Sequence, residues 1–368
     1  MSTIQTGEIT KEISEGSARV VISAEEKISR ELPVFYNPNM KLNRDISILL
    51  LNAAKKSSLR IALPLAGTGV RGIRFLKELK SGKVESILIN DGSPLAVENI
   101  KKNFILNNID VKDPMLKVTI TQQSASLLLL SSRGFDYIDI DPFGSPNPFL
   151  DAAVRSLSCE GILAVTATDT SALAGTHPKA CLRKYGAVPL RTGEMHEVGV
   201  RILIRKVQQV AVQYDKALVP IFSYSKEHYV RIFFQSEKGK KACDAVLAQH
   251  GMYKNAGPLW RGKLWKSDLI AAMIEENKLH ALQERVDEKF LETLAGEADV
   301  DVVGFYDIHA LCKREKLAIP RYELLMEKLK EQKFHVVRTH FNLHGIKTDA
   351  SEESLVKIIR GLGSSSKL

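Results

Sequence analysis

Residues 59–72, LRIALPLAGTGVRG, decide the fold: an apolar run over 59–65 ends in glycines, and a helical pattern follows over 70–79. The same alternation continues outward. Residues 84–89 read as a second strand closed by Asn90-Asp91-Gly92, and Pro94 sits early in a helix through 107, where its missing N–H is not needed. Residues 116–121 and 135–140 read as the third and fourth strands, and 161–167 as the fifth. Strands separated by helices imply an α/β fold whose parallel sheet is covered on both faces, with right-handed crossovers and ligands at the carboxyl ends of the strands. A helical stretch near 194–214 leads to strands at 218–224 and 228–235, close enough to form an antiparallel hairpin. Ahead of the sheet, 18–23 alternates like an edge strand and 43–54 like a helix. Gly239 among Lys238, Lys240 and Lys241 marks a boundary between a domain at 1–237 and a smaller α+β domain at 238–368. In the latter, helices are expected over 267–277, 280–294, 306–315, 321–332 and 351–359, with short strands at 334–338 and around Ile346.

Composition narrows the function classes. The 368 residues carry 52 Lys and Arg against 43 Asp and Glu, a net charge of +9, and 44% are apolar, as in an ordinary globular protein. The longest aliphatic run, 127–130, is far short of the ~20 residues of a membrane helix, and 1–15 is polar with three acids, unlike a secretory leader. A cytoplasmic protein that binds no membrane is expected, and no obligate protein partner is evident. The four cysteines are isolated, without metal-ligand spacing, so neither a disulfide framework nor a zinc site is expected. Two stretches lack acids altogether. Residues 170–193 hold Lys179, Arg183, Lys184 and Arg191; residues 333–348 hold Lys333, Arg338 and Lys347 with three histidines, Phe334 and Phe341. Basic stretches with aromatics suit a polyanion whose bases can stack.

Gly67-Thr68-Gly69-Val70-Arg71-Gly72 forms a G-x-G-x-x-G after a strand, and Asp91 ends the next strand, where a carboxylate can accept from two ribose hydroxyls. Together they describe a nucleoside-containing cofactor, and NAD and S-adenosylmethionine (SAM) both satisfy them. Asp141-Pro142-Phe143-Gly144, directly after the fourth strand, narrows the chemistry. Methylation of an exocyclic amine on a planar base needs a carboxylate to accept an N–H, a free carbonyl such as that of Pro142, and a ring such as Phe143 to hold the base plane. Hydride transfer uses none of these. Two plainer readings stand beside it: a turn with a core aromatic, and a divalent metal held by Asp139 and Asp141 as a D-x-D.

The run over 135–150, FDYIDIDPFGSPNPFL, its continuation over 161–204, and the segments Phe35-Tyr36-Asn37-Pro38, Asn43-Arg44-Asp45, Gly69–Arg74, Arg338-Thr339-His340-Phe341 and Gly345-Ile346-Lys347-Thr348 closely resemble the tRNA guanine-26 N2-dimethyltransferase family. The compact length, without a zinc-binding insert, resembles the archaeal form. The resemblance implies a Rossmann-like class I SAM-dependent methyltransferase sheet and a C-terminal tRNA-binding domain. It implies that Arg44, Arg71, Asp91, Ser124 and Ala125 lie around SAM, joining Gly67 and Gly69 of the glycine motif, with Arg44 as a bidentate partner for the methionine carboxylate, and that Asp141 is the catalytic carboxylate; no metal is expected. Phe35 and Phe143 would sandwich the target guanine, and Arg338 and Lys347 would touch tRNA. The chain departs from the family where Ile61-Ala62-Leu63-Pro64-Leu65 lacks an acid and where Ser124 replaces one. The alternatives are an amino-methyltransferase acting on another base or nucleic acid, and a catalytically silent RNA-binding relative. The C-terminal domain carries 22 bases and 19 acids, so its RNA role rests on 333–348. His177 and His196 read as structural or as a proton relay, Trp260 and Trp265 as core or RNA contacts, and the final Ser-Lys-Leu as a peroxisomal address or a coincidence.

Overall fold

The computed structural model describes residues 10–23, 35–279 and 286–365. A hairpin, β1 (Thr10–Glu15) and β2 (Ala18–Ser23), precedes α1 (Lys41–Ala53). The α/β alternation then runs β3 (Leu59–Leu63), α2 (Val70–Glu78), β4 (Val84–Asp91), α3 (Pro94–Leu106), β5 (Val118–Gln122), α4 (Ala125–Ser131), β6 (Phe135–Ile140), α5 (Asn147–Ser156) and β7 (Leu157–Ala167). After α6 (Thr170–Leu173), α7 (Pro178–Tyr185) and α8 (Met195–Ala211) comes the hairpin of β8 (Lys216–Lys226) and β9 (Tyr229–Lys238). The seven strands are ordered β5-β4-β3-β6-β7-β9-β8, parallel up to β7 and antiparallel beyond it. The chain builds outward from β3 on one side and returns to start β6 on the other. The ends of β3 and β6 therefore form the topological switch point, where a crevice opens.

Beyond the sheet lie α9 (Lys240–Ala248), β10 (His250–Tyr253), β11 (Ala256–Trp260), α10 (Ser267–Leu279) and α11 (Glu288–Ala298). A three-stranded sheet follows, with β12 (Tyr306–Asp307), α12 (Ile308–Glu315), α13 (Tyr322–Glu331), β13 (Val336–Arg338), β14 (Gly345–Thr348) and α14 (Glu352–Ser365), in strand order β12-β14-β13. Cys243, Trp260, Ile270 and Leu291 all belong to the same continuous core as the seven-stranded sheet. A separate core begins only at Ile308 and includes Leu325, Val336, Ile346 and Leu355. The turn into helix at Gly239 is thus a change of local structure, while the apolar packing divides near residue 307. Of the helix expected over 280–294, residues 280–285 lie outside the described residues, as does the terminal Ser-Lys-Leu.

Candidate active site

All six side chains of β6 are buried, and two of them are carboxylates, which burial makes costly without partners. Asp136 accepts from Lys56 Nζ at 2.6 Å and from the Arg60 amide at 2.9 Å. Asp139 is gripped by Arg231 of β9, Nη1 to Oδ1 at 2.9 Å and Nη2 to Oδ2 at 2.7 Å, and it also accepts from the Tyr137 hydroxyl at 2.6 Å. Burial pushes the Asp139 carboxyl up, but the Arg231 and Arg71 guanidiniums outweigh it and hold it at about 2. Arg71, at the start of α2, reaches Asp139 Oδ2 at 3.2 Å with Nη1 and donates from Nη2 to Asp141 Oδ2 at 2.6 Å. Ser47 and Asn43 of α1 fix the same guanidinium, each at 3.0 Å.

Arg231, Asp139, Arg71 and Asp141 therefore alternate in sign and sum to zero charge. Such an arrangement is tolerable beneath a cavity because every ion is paired and hydrogen-bonded. The pairing also decides the metal reading of the D-x-D: both Asp139 oxygens are committed to Arg231. Among the described residues no group of three or more His, Cys, Asp or Glu could hold an ion. Asp141 is different. Only its Oδ2 is bound, and Oδ1 has no partner among the described residues, at the wall of a cavity of about 230 Å³. Phe35, Leu65, Gly67, Arg71, Pro142 and Phe143 are among its other walls, and the β8–β9 turn closes it through His228 and Tyr229.

The glycine loop forms the floor. Gly67 and Gly69 have φ of +54° and +77°, a region costly for any side chain, and a Cβ at Gly67 would lie 2.9 Å from the Phe35 carbonyl oxygen. The loop is tied to Asp91, whose Oδ2 accepts from the Gly67 amide at 2.9 Å and whose Oδ1 accepts from the Ser93 amide at 3.0 Å. Each ionised oxygen keeps a lone pair for a further donor such as a ribose hydroxyl. Buried Asn90 stitches the strand ends together. It donates to the Pro64 and Gln123 carbonyls at 3.0 and 2.9 Å and accepts from Thr121 Oγ1 at 2.9 Å. Gly69, Asp91, Ser124 and Ala125 lie along this shelf, not among the cavity's lining residues. Gly67→Ala should displace the Phe35 carbonyl at a cost of about 1–3 kcal/mol and weaken binding of the nucleoside cofactor several-fold. Calorimetric titration against S-adenosyl-L-homocysteine reads it directly.

Two expectations change at the cavity mouth. Phe35 and Phe143 were to sandwich a base, yet their centroids are 4.0 Å apart at 65°, an edge contact with no slot between them. A base between two rings needs about 7 Å, twice a carbon–carbon contact, so the pair must part to admit one. Arg44 lines the cavity, but its fork is taken. Nε and Nη2 donate to Glu15 at 2.6 and 2.5 Å, and Nη2 also donates to the Asn37 carbonyl. Burial raises the Glu15 carboxyl, and Arg44 and Arg74 outweigh it and bring it to about 2. Arg44 thus pins the β1–β2 hairpin to α1 instead of presenting an open fork to a carboxylate.

The model of the family described as N2,N2-dimethylguanosine tRNA methyltransferase matches residues 16–256 and 248–360. A tRNA (guanine(26)-N(2))-dimethyltransferase of Methanobrevibacter smithii is 38% identical to the chain, covering 96% of it and 98% of the relative. A tRNA (guanine(26)-N(2)/guanine(27)-N(2))-dimethyltransferase of Aquifex aeolicus is also 38% identical, covering 94% of each. The chain belongs to this family. A solved structure of Trm1 from Pyrococcus horikoshii with S-adenosyl-L-methionine, 36% identical, superposes with a TM-score of 0.86 over 95% of the chain and 99% of its own.

In this member of the dimethyltransferase family the residues expected to meet RNA in the C-terminal domain separate sharply. Arg338 is half-buried, with its guanidinium 3.9 Å above the Tyr322 ring. Lys347 is fully buried, so it is no RNA-facing cation. Its Nζ donates to both oxygens of Glu197 in α8, at 3.1 and 2.9 Å, and to the Gly304 carbonyl at 3.0 Å. Trp260 and Trp265 are buried as well, their indoles donating to Lys263 O and Ser223 O. His177 is exposed at the start of α7, while His196 is half-buried and is held below its ordinary pKa by burial and by His340.

Proposed function

We propose that the chain methylates the exocyclic N2 of guanine 26 in tRNA, giving N2-methyl- and N2,N2-dimethylguanosine, as a cytoplasmic enzyme that uses SAM. The observation that carries the reading is a cavity-lining carboxylate at the end of β6 with one oxygen clamped by Arg71 and the other without a partner among the described residues. The glycine shelf and the lone pairs of Asp91 suit a nucleoside, and when bound the donor supplies an electrophilic methyl on a sulfonium. Gly67, Gly69 and Asp91 are the residues that would hold it.

The N2 amine is a poor nucleophile because its lone pair is delocalised into the ring. Asp141 Oδ1 accepts one N–H and the Pro142 carbonyl the other, which turns the lone pair out of the ring plane. As the nitrogen lone pair bonds to the methyl carbon, the carbon–sulfur electron pair would leave on the donor's sulfur as a neutral thioether. The nitrogen is then strongly acidic, and Asp141 takes the proton despite its pairing with Arg71. The monomethyl product retains one N–H for the same oxygen, so a second round uses the same geometry. A paired guanine shows N2 only in the minor groove, so the nucleotide must leave its stack. Phe35 and Phe143 supply rings that repay this, at ~1–3 kcal/mol per stacked base.

Phe143→Ala should therefore lower kcat/KM for tRNA about tenfold or more with donor affinity unchanged. Incubation with methyl-labelled SAM and an unmodified tRNA transcript, followed by nucleoside analysis, tests the function itself. Label in both N2-methylguanosine species, lost when guanine 26 is replaced, is expected. Label on adenine or cytosine would replace this reading by another amino-methyltransferase, and no label would leave a silent relative.

A further inference from the structure

The two acid-free stretches of the sequence, with 139 residues between them, meet in space. Helix α7 packs its C-terminal end on the loop that follows Phe143: Asn147 Nδ2 donates to the Lys184 carbonyl at 2.8 Å, and Ser145 Oγ meets the Tyr185 hydroxyl at 3.1 Å. Lys179, Arg183, Lys184 and Arg191 are all exposed along this segment. The segment ends at Gly193, where a Cβ would stand 3.2 Å from Asp307 Oδ2 and 3.3 Å from Asn342 Nδ2, in the C-terminal domain. The carboxylates along the way are engaged: Asp169 by Lys184 and the Tyr185 hydroxyl, Glu194 by Tyr253 and Lys254, Asp307 by Asn342 and the Ala310 amide.

Beyond that junction the 341–344 loop is held rigidly. Its Asn342 accepts from the His344 amide at 2.7 Å, and the His344 carbonyl accepts from the Ile308 amide at 3.0 Å and the Tyr322 hydroxyl at 3.1 Å. Arg338 donates to the Leu343 carbonyl while lying over Tyr322. The His309 and His344 rings stack at 3.7 Å and 16°, with His344 exposed and Leu343 84% exposed.

We infer that these parts form one RNA-binding track. The cations of α7 and Arg191 follow phosphates away from the reacting guanine, and the His344–Leu343 platform stacks an unpaired base at the far end. The inference rests on the tRNA reading above and deepens it: recognition would need a folded RNA that presents a second, unpaired nucleotide at a distance. Phosphate contacts position without reading sequence, and a pre-ordered ring loses little freedom when a base settles on it.

Fluorescence anisotropy with the full chain tests it, using an unmodified tRNA transcript and a short hairpin that carries only the target guanine. The triple variant Lys179→Ala, Arg183→Ala, Arg191→Ala should weaken both ligands at least tenfold and reduce the slope of log affinity against log salt by about three. His344→Ala should weaken tRNA about tenfold and leave the hairpin unchanged. Lys101→Ala, on α3, should alter neither, and S-adenosyl-L-homocysteine affinity should hold in every variant, which shows that the fold is intact. Wild-type tRNA affinity in the triple variant, with methylation by the wild type intact, overturns the track alone. Equal loss on both ligands for His344→Ala overturns the distant base. If the wild type neither binds nor methylates tRNA, the functional reading itself has failed.

Discussion

Asp141→Ala is expected to reduce methyl transfer to tRNA by about 10³- to 10⁴-fold, at the upper range for a single positioned acid–base group, while donor affinity stays within a few-fold of wild type. The separation follows from where the carboxylate stands. Asp141 lines the cavity, Asp91 lies outside its lining, and Asp141 touches the glycine motif only through the Arg71 side chain, while the backbone of the Gly67–Gly69 turn is anchored by Asp91, Ala66 and Asn90. The asparagine variant is the sharper test. An amide keeps one acceptor, but Arg71 Nη2 is a donor and draws that oxygen to itself, as it now draws Oδ2. The amide nitrogen is then left at the Oδ1 position, a donor facing the donors of the substrate amine. Asp141→Asn should thus be as impaired as Asp141→Ala. Single-turnover rates at saturating tRNA measure both, and an asparagine variant more than tenfold faster than the alanine one would refute the division of labour between the two oxygens.

The legible parts of the fold were those whose signal is local. Strand β6 was bounded correctly because six buried positions form one run that ends at Asp141-Pro142, and α3 because Ser93 and Pro94 mark its start. Helices α4 and α5 went unread: the first is short and nearly all aliphatic, the second opens amid four prolines or glycines over residues 142–148. The candidate site divided in the same way. Asp141, Phe143 and Gly67 carry their signal in neighbouring residues, and all three line the cavity. Arg231 was missed, although a single cation inside the apolar run Tyr229–Phe234 is a legible sign of a buried ion pair. Glu15 was missed, and Arg44 misjudged, because no spacing rule connects residues brought together by a hairpin and a distant helix. Lys347 failed for the same reason. Its stretch lacks acids only along the chain, since its partner, Glu197, comes from 150 positions earlier.

Lys347→Met should cost about 3 kcal/mol of stability, read as a lower urea midpoint, without changing the salt dependence of tRNA binding. Methionine keeps most of the volume, so the loss measures the ion. Glu197 is fully buried in α8 and is shared by Lys347 of β14, by Arg201 Nη2 at 2.9 Å and by the Gly304 amide at 2.9 Å. Burial drives its carboxyl up, and Lys347 and then Arg201 outweigh that and hold it at about 2, against an ordinary 4.5. Removing Lys347 leaves one guanidinium to balance the carboxylate, and Arg201 is already divided with the Trp260 and Gly262 carbonyls. Because the folded-state value lies below the ordinary one, the stability this pairing contributes is complete above about pH 4.5 and disappears as the pH falls toward 2. The difference between wild type and variant should therefore be full at neutral pH and shrink on acidification through that window. A difference that stayed constant from pH 7 to pH 3 would mean that Lys347 acts through packing alone. A flattened salt slope for tRNA in the folded variant would instead return Lys347 to the RNA surface, against its complete burial.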